Sequence, residues 1–362
     1  MEDMTTKQNI KNQDSEELYQ LGRSYVFDQE GKRLKDGDYE KATACFMEAA
    51  QKGHTKAQYE IGGHYFQGWG IEQDHEKATY WLHNAAEKGH DKAQNALAYC
   101  YFHGMGVEQS YEQAVYWFQK AAEQGLLTAQ TSLAICHMDG KGVEQNYEKA
   151  SQLFHKAAEQ GSAIAQFWIG HFYHRGCIVE KDYEKSLHWC EKAAKQGFLR
   201  AQRWLAMCYQ EGDGVPLDYK KATYWYKKAA RQGDIFSQFN LGYSYNFGEG
   251  VTQDYKKAAY WYRKAAKQGD ADSQYMLGLL YESGEGVVQS IEKAEYWYKK
   301  AAEHGDTSAQ KKLRELYCGG EGIAKDIKQT ILLYQKAAEQ NGSNALSHLD
   351  VMLWKQYWDE SN

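Results

Sequence analysis

Small, apolar and polar residues return along this chain in one fixed order every 36 positions. The pairs Ala57-Gln58, Ala93-Gln94, Ala129-Gln130, Ala165-Gln166, Ala201-Gln202, Ser237-Gln238, Ser273-Gln274 and Ala309-Gln310 are each 36 residues apart, with no insertion or deletion between them. An earlier copy shows in Leu21-Gly22-Arg23-Ser24-Tyr25, with about four extra residues before Asp38, which makes nine copies. A period in this range marks a stack of small structural units rather than a single globular core.

Each copy reads as helix A, loop, helix B. Counted from the first alanine or serine, the recurrent residues of helix A fall at offsets 0, 1, 4, 5 and 8, as in Ala57, Gln58, Ile61, Gly62 and Tyr65. At 100° per residue these positions occupy an arc of about 140°, one face of a helix. A loop of the form Gly-x-Gly-Val follows, as in Gly104-Met105-Gly106-Val107, where glycine permits a tight reversal. Asp38, Asp74, Ser110, Asn146, Asp182, Asp218, Asp254, Ser290 and Asp326 then stand where an N-cap is needed. Helix B carries an apolar stripe, for example Tyr255, Ala258, Trp261, Tyr262 and Ala265. Gly53, Gly89, Gly125, Gly161, Gly197, Gly233, Gly269 and Gly305 supply the stops, and Asn341 takes that place in the ninth copy.

Composition agrees with a helical array. The chain has 362 residues with one proline and 33 glycines, so the glycines belong at helix ends and loops. A net charge of −6 offers no general attraction to nucleic acid. No run of 18 apolar residues is present, which excludes a membrane-spanning helix. The polar stretch Met1 to Glu17 has no apolar segment of the kind a signal peptide needs, so a cytoplasmic protein is expected. The seven cysteines are read as reduced thiols in scattered repeat phases. The loop glycines follow a helix rather than a strand, the wrong context for a nucleotide-binding turn, and no cofactor is expected.

The pattern A-Q-x-x-L-G-x-x-Y-x-x-G-x-G-V, then D-Y-x-K-A-x-x-W-Y-x-K-A-A-x-x-G, resembles the Sel1-like repeat family from about Ser15 to Asn341. The resemblance implies an all-α, right-handed superhelical α-solenoid of nine helix-turn-helix repeats, tetratricopeptide-like, with A helices lining the concave side. Its members act as adaptors that hold a partner protein. Ile178, in place of the second loop glycine, and His137, in place of the helix A tyrosine, depart from the pattern. The organisation expected is a disordered tail over 1–13, the solenoid over 14–341, and a capping helix and tail over 342–362, with Ala345, Leu349, Met352 and Leu353 covering the last repeat.

Function is expected on the positions that do not recur, offsets 2, 3, 6, 9 and 10 of helix A. In the middle copies these are Phe167, Trp168, His171, His174 and Arg175; Arg203, Trp204, Met207, Gln210 and Glu211; and Phe239, Asn240, Tyr243, Asn246 and Phe247. Aromatic, Met and Arg side chains are enriched at interface centres. Trp168, His171, His174, Arg175, Arg203, Trp204, Met207 and Tyr243 are therefore the candidate partner-binding residues, while Phe167, Phe239 and Phe247 have inter-repeat packing as a competing reading. His171-x2-His174-x2-Cys177 has ligand-like spacing but lacks the further ligand a zinc site needs, so no metal is assigned. The basic helices 219–232 and 255–268 contain lysines that recur in most repeats, and a solvated face outweighs nucleic-acid binding there. The reading is a monomeric, non-enzymatic scaffold for a protein or peptide. An effector or toxin-neutralising immunity protein on the same scaffold is the alternative. A β-lactamase-like hydrolase, suggested by cysteine-rich relatives, is the reading of a different class, disfavoured because regular cysteine pairs and a nucleophile elbow are lacking.

Overall fold

The computed structural model of the protein describes residues 14–28, 30–32, 34, 36–176 and 178–319. The expected tail and C-terminal capping helix, with Asp326 and Asn341, lie outside the described residues. Regular structure among the described residues is α-helical throughout, seventeen helices in all. The A helices are Ser15–Val26, Thr55–Gln67, Asp91–His103, Leu127–Asp139, Ala163–Arg175, Leu199–Glu211, Ile235–Phe247, Ala271–Ser283 and Thr307–Gly319. The B helices are Tyr39–Gln51, His75–Glu87, Tyr111–Glu123, Tyr147–Glu159, Tyr183–Lys195, Tyr219–Arg231, Tyr255–Ala266 and Ile291–Glu303. The chain divides into two compact units, Met1–Trp189 and Cys190–Asn362.

The start signals work as expected. Asp74 accepts from Lys77 N at 2.9 Å, Asn146 from Lys149 N at 2.8 Å and Asp254 from Lys257 N at 3.0 Å. Helix A has caps too, which the repeat pattern does not announce: the imidazole Nδ1 of His54 accepts from Ala57 N at 3.0 Å, and Asp270 accepts from Ser273 N at 2.9 Å. The predicted stops all have left-handed backbone, Gly53 through Gly305. In the loops, Gly104 ends helix A with φ of 68°, and Gly106 has φ of 70°. A Cβ on Gly106 would also collide with the backbone carbonyl of His75, one repeat earlier. The second loop glycine is thus a point of contact between repeats as well as a turn residue.

In the first unit, the side chain eight positions after each N-cap of helix B fills the core: Phe46, Leu82, Phe118 and Phe154. Helix A makes room for it at offset 5. A Cβ on Gly22 would lie 2.7 Å from the Phe46 ring, and one on Gly62 would lie 2.9 Å from Leu82. In the second unit Tyr226, Tyr262 and Tyr298 hold the same place and are fully buried, and a Cβ on Gly242 would lie 2.7 Å from the Tyr262 ring. Full burial of such a side chain is worth about 1.5–3 kcal/mol.

The recurrent glutamine at offset 1 joins consecutive helices. From Gln58 to Gln274 each is buried and donates Nε2 to the carbonyl near the end of the preceding helix B, as Gln94 does to Ala86 at 3.1 Å, Gln166 to Ala158 at 3.1 Å, Gln202 to Ala194 at 2.9 Å and Gln274 to Ala266 at 3.0 Å. In several copies its Oε1 accepts from the next repeat, as when Gln124 reaches Gln94 at 2.8 Å and Gln268 reaches Gln238 at 2.8 Å, though Gln130 Oε1 is buried without a partner. Where Lys88 replaces that second glutamine it turns to the Gly53 carbonyl at 2.8 Å, and Gln58 Oε1 is left buried without a partner.

The cysteines correct one expectation. Cys100, Cys136 and Cys208 all fall at offset 7 of helix A, so their phases are not scattered. That offset is a further buried position, held elsewhere by His64, Phe172, Ser244 and Leu280. Cys45, Cys100, Cys136, Cys190 and Cys208 are buried free thiols. Burial pushes the Cys45 and Cys136 thiols up to about 11 and those of Cys100 and Cys208 up to about 12.

Two predictions come from this packing. A thiol whose pKa is raised by folding contributes stability below its unfolded value near 8.5–9, and that contribution is lost as pH rises toward the folded value. The melting temperature should therefore fall as pH rises from about 9 to 12, while at pH 7 reductant should leave it unchanged; reductant-sensitive melting would sink this account. The second concerns three equivalent tyrosines. Tyr226 donates to Gln210 at 2.5 Å and Tyr298 donates to Glu282, but the hydroxyl of Tyr262 and Oδ1 of Asn246 are both buried and unpaired. Asn246 is one methylene shorter than the glutamine or glutamate at that place. Asn246→Gln should raise stability by about 1 kcal/mol, read as a higher denaturant midpoint.

Candidate partner-binding surface

The sequence-predicted residues divide between the two units. In the first, Trp168 is half-buried and stacks on Phe154 at 6.0 Å, with His171 edge-on to it at 5.8 Å. Burial, and then the neighbouring charges of Arg175 and His174, hold His171 below the usual histidine pKa, so the ring is neutral at pH 7. His174 is half-buried with its ring edge-on to Tyr183 at 5.3 Å, and Arg175 is exposed at the helix end. In the second unit Trp204 and Met207 are half-buried. Tyr243 lies against Phe247 at 4.4 Å and Phe239 at 6.4 Å.

Several positions on the predicted free face prove to be structural. Phe167 is 8% exposed, Asn240 9% and Asn246 8%, because helical phase gives a direction but not how near the next helix comes. Gln210 accepts the Tyr226 hydroxyl described above. Arg203 pairs with Asp234 at 3.3 Å, and Asp234 in turn caps the next A helix by accepting from Ser237 N at 2.9 Å. Phe247 and Glu211 are exposed. Cys177 lies outside the described residues, so the third member of the His171–His174 spacing has no described position.

The basic helices serve the scaffold in part. Lys221 and Lys257 pair with the N-cap carboxylates of Asp218 and Asp254, at 3.8 and 2.8 Å. Lys228 lies over Tyr224 at 5.6 Å, and Lys264 over Tyr260 at 5.0 Å. The sequence also contains Ser-x-x-Lys at Ser290–Lys293 and Ser308–Lys311. The Ser290 hydroxyl accepts from Lys293 N at 3.2 Å as a helix cap, a structural role.

Sequence reasoning missed a cleft in the first unit. It has a volume of about 350 Å³ and lies between the A helices Thr55–Gln67 and Asp91–His103. Tyr59, Glu60, Gly63, Phe66 and Gln67 line it from one helix, Asn95, Ala96 and Tyr99 from the other, with Trp69 from the loop. These helix positions are offsets 2, 3, 6, 9 and 10, the free face, but in the second and third of the nine copies rather than the middle ones. The cleft owes its room to Gly63. Other copies carry Tyr99, Ile135, His171, Met207, Tyr243 or Leu279 at that offset. A Cβ on Gly63 would meet nothing within 4 Å, and its backbone is not left-handed, so neither crowding nor conformation calls for glycine. A glycine immediately after the packing glycine Gly62, inside a helix, was the available signal.

The model of the Sel1 repeat family matches the chain nine times, over residues 18–54, 55–90, 91–126, 127–162, 163–198, 199–234, 235–270, 271–306 and 308–342. Among solved structures, the chain is similar to c5321, a protective antigen of uropathogenic Escherichia coli strains displaying an SLR fold, at 35% identity and a TM-score of 0.70, covering 98% of this chain and 75% of that one. It is also similar to a Sel1 repeat protein from Oxalobacter formigenes, at 34% identity and a TM-score of 0.67, covering 86% of this chain and 90% of that one. No curated protein matches it.

The two adjacent glycines should behave oppositely when each is changed to alanine. Gly63→Ala should raise stability by roughly 0.5–1 kcal/mol, the usual gain inside a helix. Gly62→Ala should lower it, by about 1–3 kcal/mol, because the new methyl overpacks Leu82. Thermal melts of both variants decide the matter; equal shifts would show that Gly63 is also a packing position.

Proposed function

Because the chain belongs to the Sel1 repeat family through nine consecutive matches, we propose that it is a non-enzymatic scaffold holding a protein or peptide on the free face of its A helices. Sel1 repeat proteins are in general protein-interaction scaffolds. The observation that supports this reading is the partial exposure of large side chains at non-recurrent A-helix offsets in both units. The first unit presents Trp168, His171, His174 and Arg175, and the second presents Trp204, Met207 and Tyr243. Rings and thioethers left half in water bury their remaining apolar area when a partner covers them. Arg203 acts mainly as a tie to Asp234, with its outer edge available to a ligand. Among the described residues no helix is long and apolar enough to cross a membrane. A cytoplasmic location and a monomeric state fit this reading.

Affinity capture with the full chain, followed by mass spectrometry, supplies a partner for titration. Trp204→Ala should then weaken binding by roughly 2 kcal/mol or more, as an interface anchor does. Trp261→Ala removes a helix B side chain only 8% exposed and should cost about 3–5 kcal/mol of stability. If Trp204→Ala binds like the wild type, or melts as early as Trp261→Ala, the second unit's surface is not the binding face.

A further inference from the structure

The cleft opened by Gly63 has a definite chemistry. Its volume, about 350 Å³, is near the low end of the ~300–1,000 Å³ typical of ligand pockets, room for one large side chain rather than a cofactor. Four rings line it, those of Tyr59, Phe66, Trp69 and Tyr99. Their settings are fixed from outside the cleft. Tyr59 stacks on His90 at 4.8 Å, Phe66 meets His75 at 4.9 Å, and Tyr99 meets His103 at 4.3 Å. Glu60 is the one ionisable carboxylate or base in the lining, and no cationic side chain lines the space. Its negative charge reaches Tyr19, whose hydroxyl pKa it helps to raise after burial. Asn95 Oδ1, also in the wall, is buried with no hydrogen-bond partner.

We propose that this cleft receives an arginine side chain of a partner polypeptide, with the rings around its stem and guanidinium and Glu60 as the counter-charge. Aromatic faces attract cations, and a planar guanidinium both stacks on a ring and donates to a carboxylate in a way an ammonium does not. Its five N–H donors could also satisfy the Asn95 acceptor, which a purely apolar side chain would leave unpaired. The chain's net charge of −6 favours approach by a basic segment. Gly63 explains itself in these terms: any side chain at that offset would occupy the place of the ligand. The inference rests on the reading of the protein as a polypeptide binder, but it concerns a surface of the first unit and can be tested without the natural partner.

The test uses the full-length chain and three blocked tripeptides, acetyl-Gly-Arg-Gly-amide and its citrulline and phenylalanine counterparts, followed by amide NMR shifts and calorimetry. The arginine peptide should bind with shifts centred on residues 59–69 and 95–100, and about tenfold more tightly than citrulline, which keeps the shape and loses the charge. Gly63→Leu should abolish binding by filling the cleft, with a thermal melt as the folding control. Glu60→Gln, which adds no bulk, should bring the arginine peptide down to the citrulline level. Equal binding of arginine and citrulline, tighter binding of phenylalanine, or undiminished binding by both variants would overturn the proposal. Failure here with an intact effect of Trp204→Ala on the captured partner would leave the scaffold reading standing.

Discussion

The array depends first on a neutral hydrogen bond. The last carbonyls of any helix lack an internal partner, and in the B helices one of them is met both by the turn backbone and by a glutamine from the following helix, as at Ala86. That glutamine is buried, and its oxygen accepts from the next repeat at Gln124, Gln232 and Gln268, whereas Gln58 and Gln130 keep an unpaired Oε1. Each helix end is thus completed by its neighbour, and the repeats are interdependent at their most polar points. Losing the glutamine would remove one donor to that carbonyl and leave another, the glycine after the helix, as when Gly89 N reaches Ala86 O at 3.0 Å, at a cost of about 0.5–1.5 kcal/mol. Around this bond sits the apolar contact of large helix B side chains on small helix A residues, which sets how close the helices come.

With structure assigned to fixed offsets, the rest of helix A is free to carry chemistry. The first unit uses that freedom in two ways. At Trp168 and His171 it adds bulk to the surface, and at Gly63 it takes bulk away. The second is the more economical device, since removing one side chain from a regular lattice creates a cavity whose walls are already ordered by the repeats on either side. The histidines that cap helix A at His54 and His90 help here, because each also stacks on a tyrosine, Tyr19 and Tyr59 respectively.

Much of this was legible in the sequence because caps and turns are chosen by single-residue chemistry. Asp, Asn or Ser at a helix start, and glycine at a stop, name their roles wherever they occur. Periodicity likewise found the buried offsets 0, 1, 4, 5 and 8. It failed where distance rather than direction decides. Asn240 and Asn246 point away from the recurrent arc but are covered by neighbours, and offset 7 looked variable because His64, Cys100, Phe172 and Leu280 share burial rather than a residue type. The Gly63 cleft escaped for the opposite reason, since aromatic abundance drew the search for function to the middle repeats, whereas a missing side chain has no composition to notice.

The second loop glycine also bears on how such a gene can change length. The backbone at Gly70 and Gly106 lies against the first turn of the helix B one copy earlier, at Tyr39 and His75. A single added residue between those points would rotate the following helix by about 100° and lift the loop from its seat. Small insertions within the array are therefore selected against, whereas duplication or loss of a whole 36-residue segment preserves every local fit. The extra residues before Asp38 belong to the first copy read in this sequence, and the eight copies after it have none. Growth by unequal crossing-over in whole repeats, followed by drift at the free offsets, is the evolutionary route that this geometry leaves open.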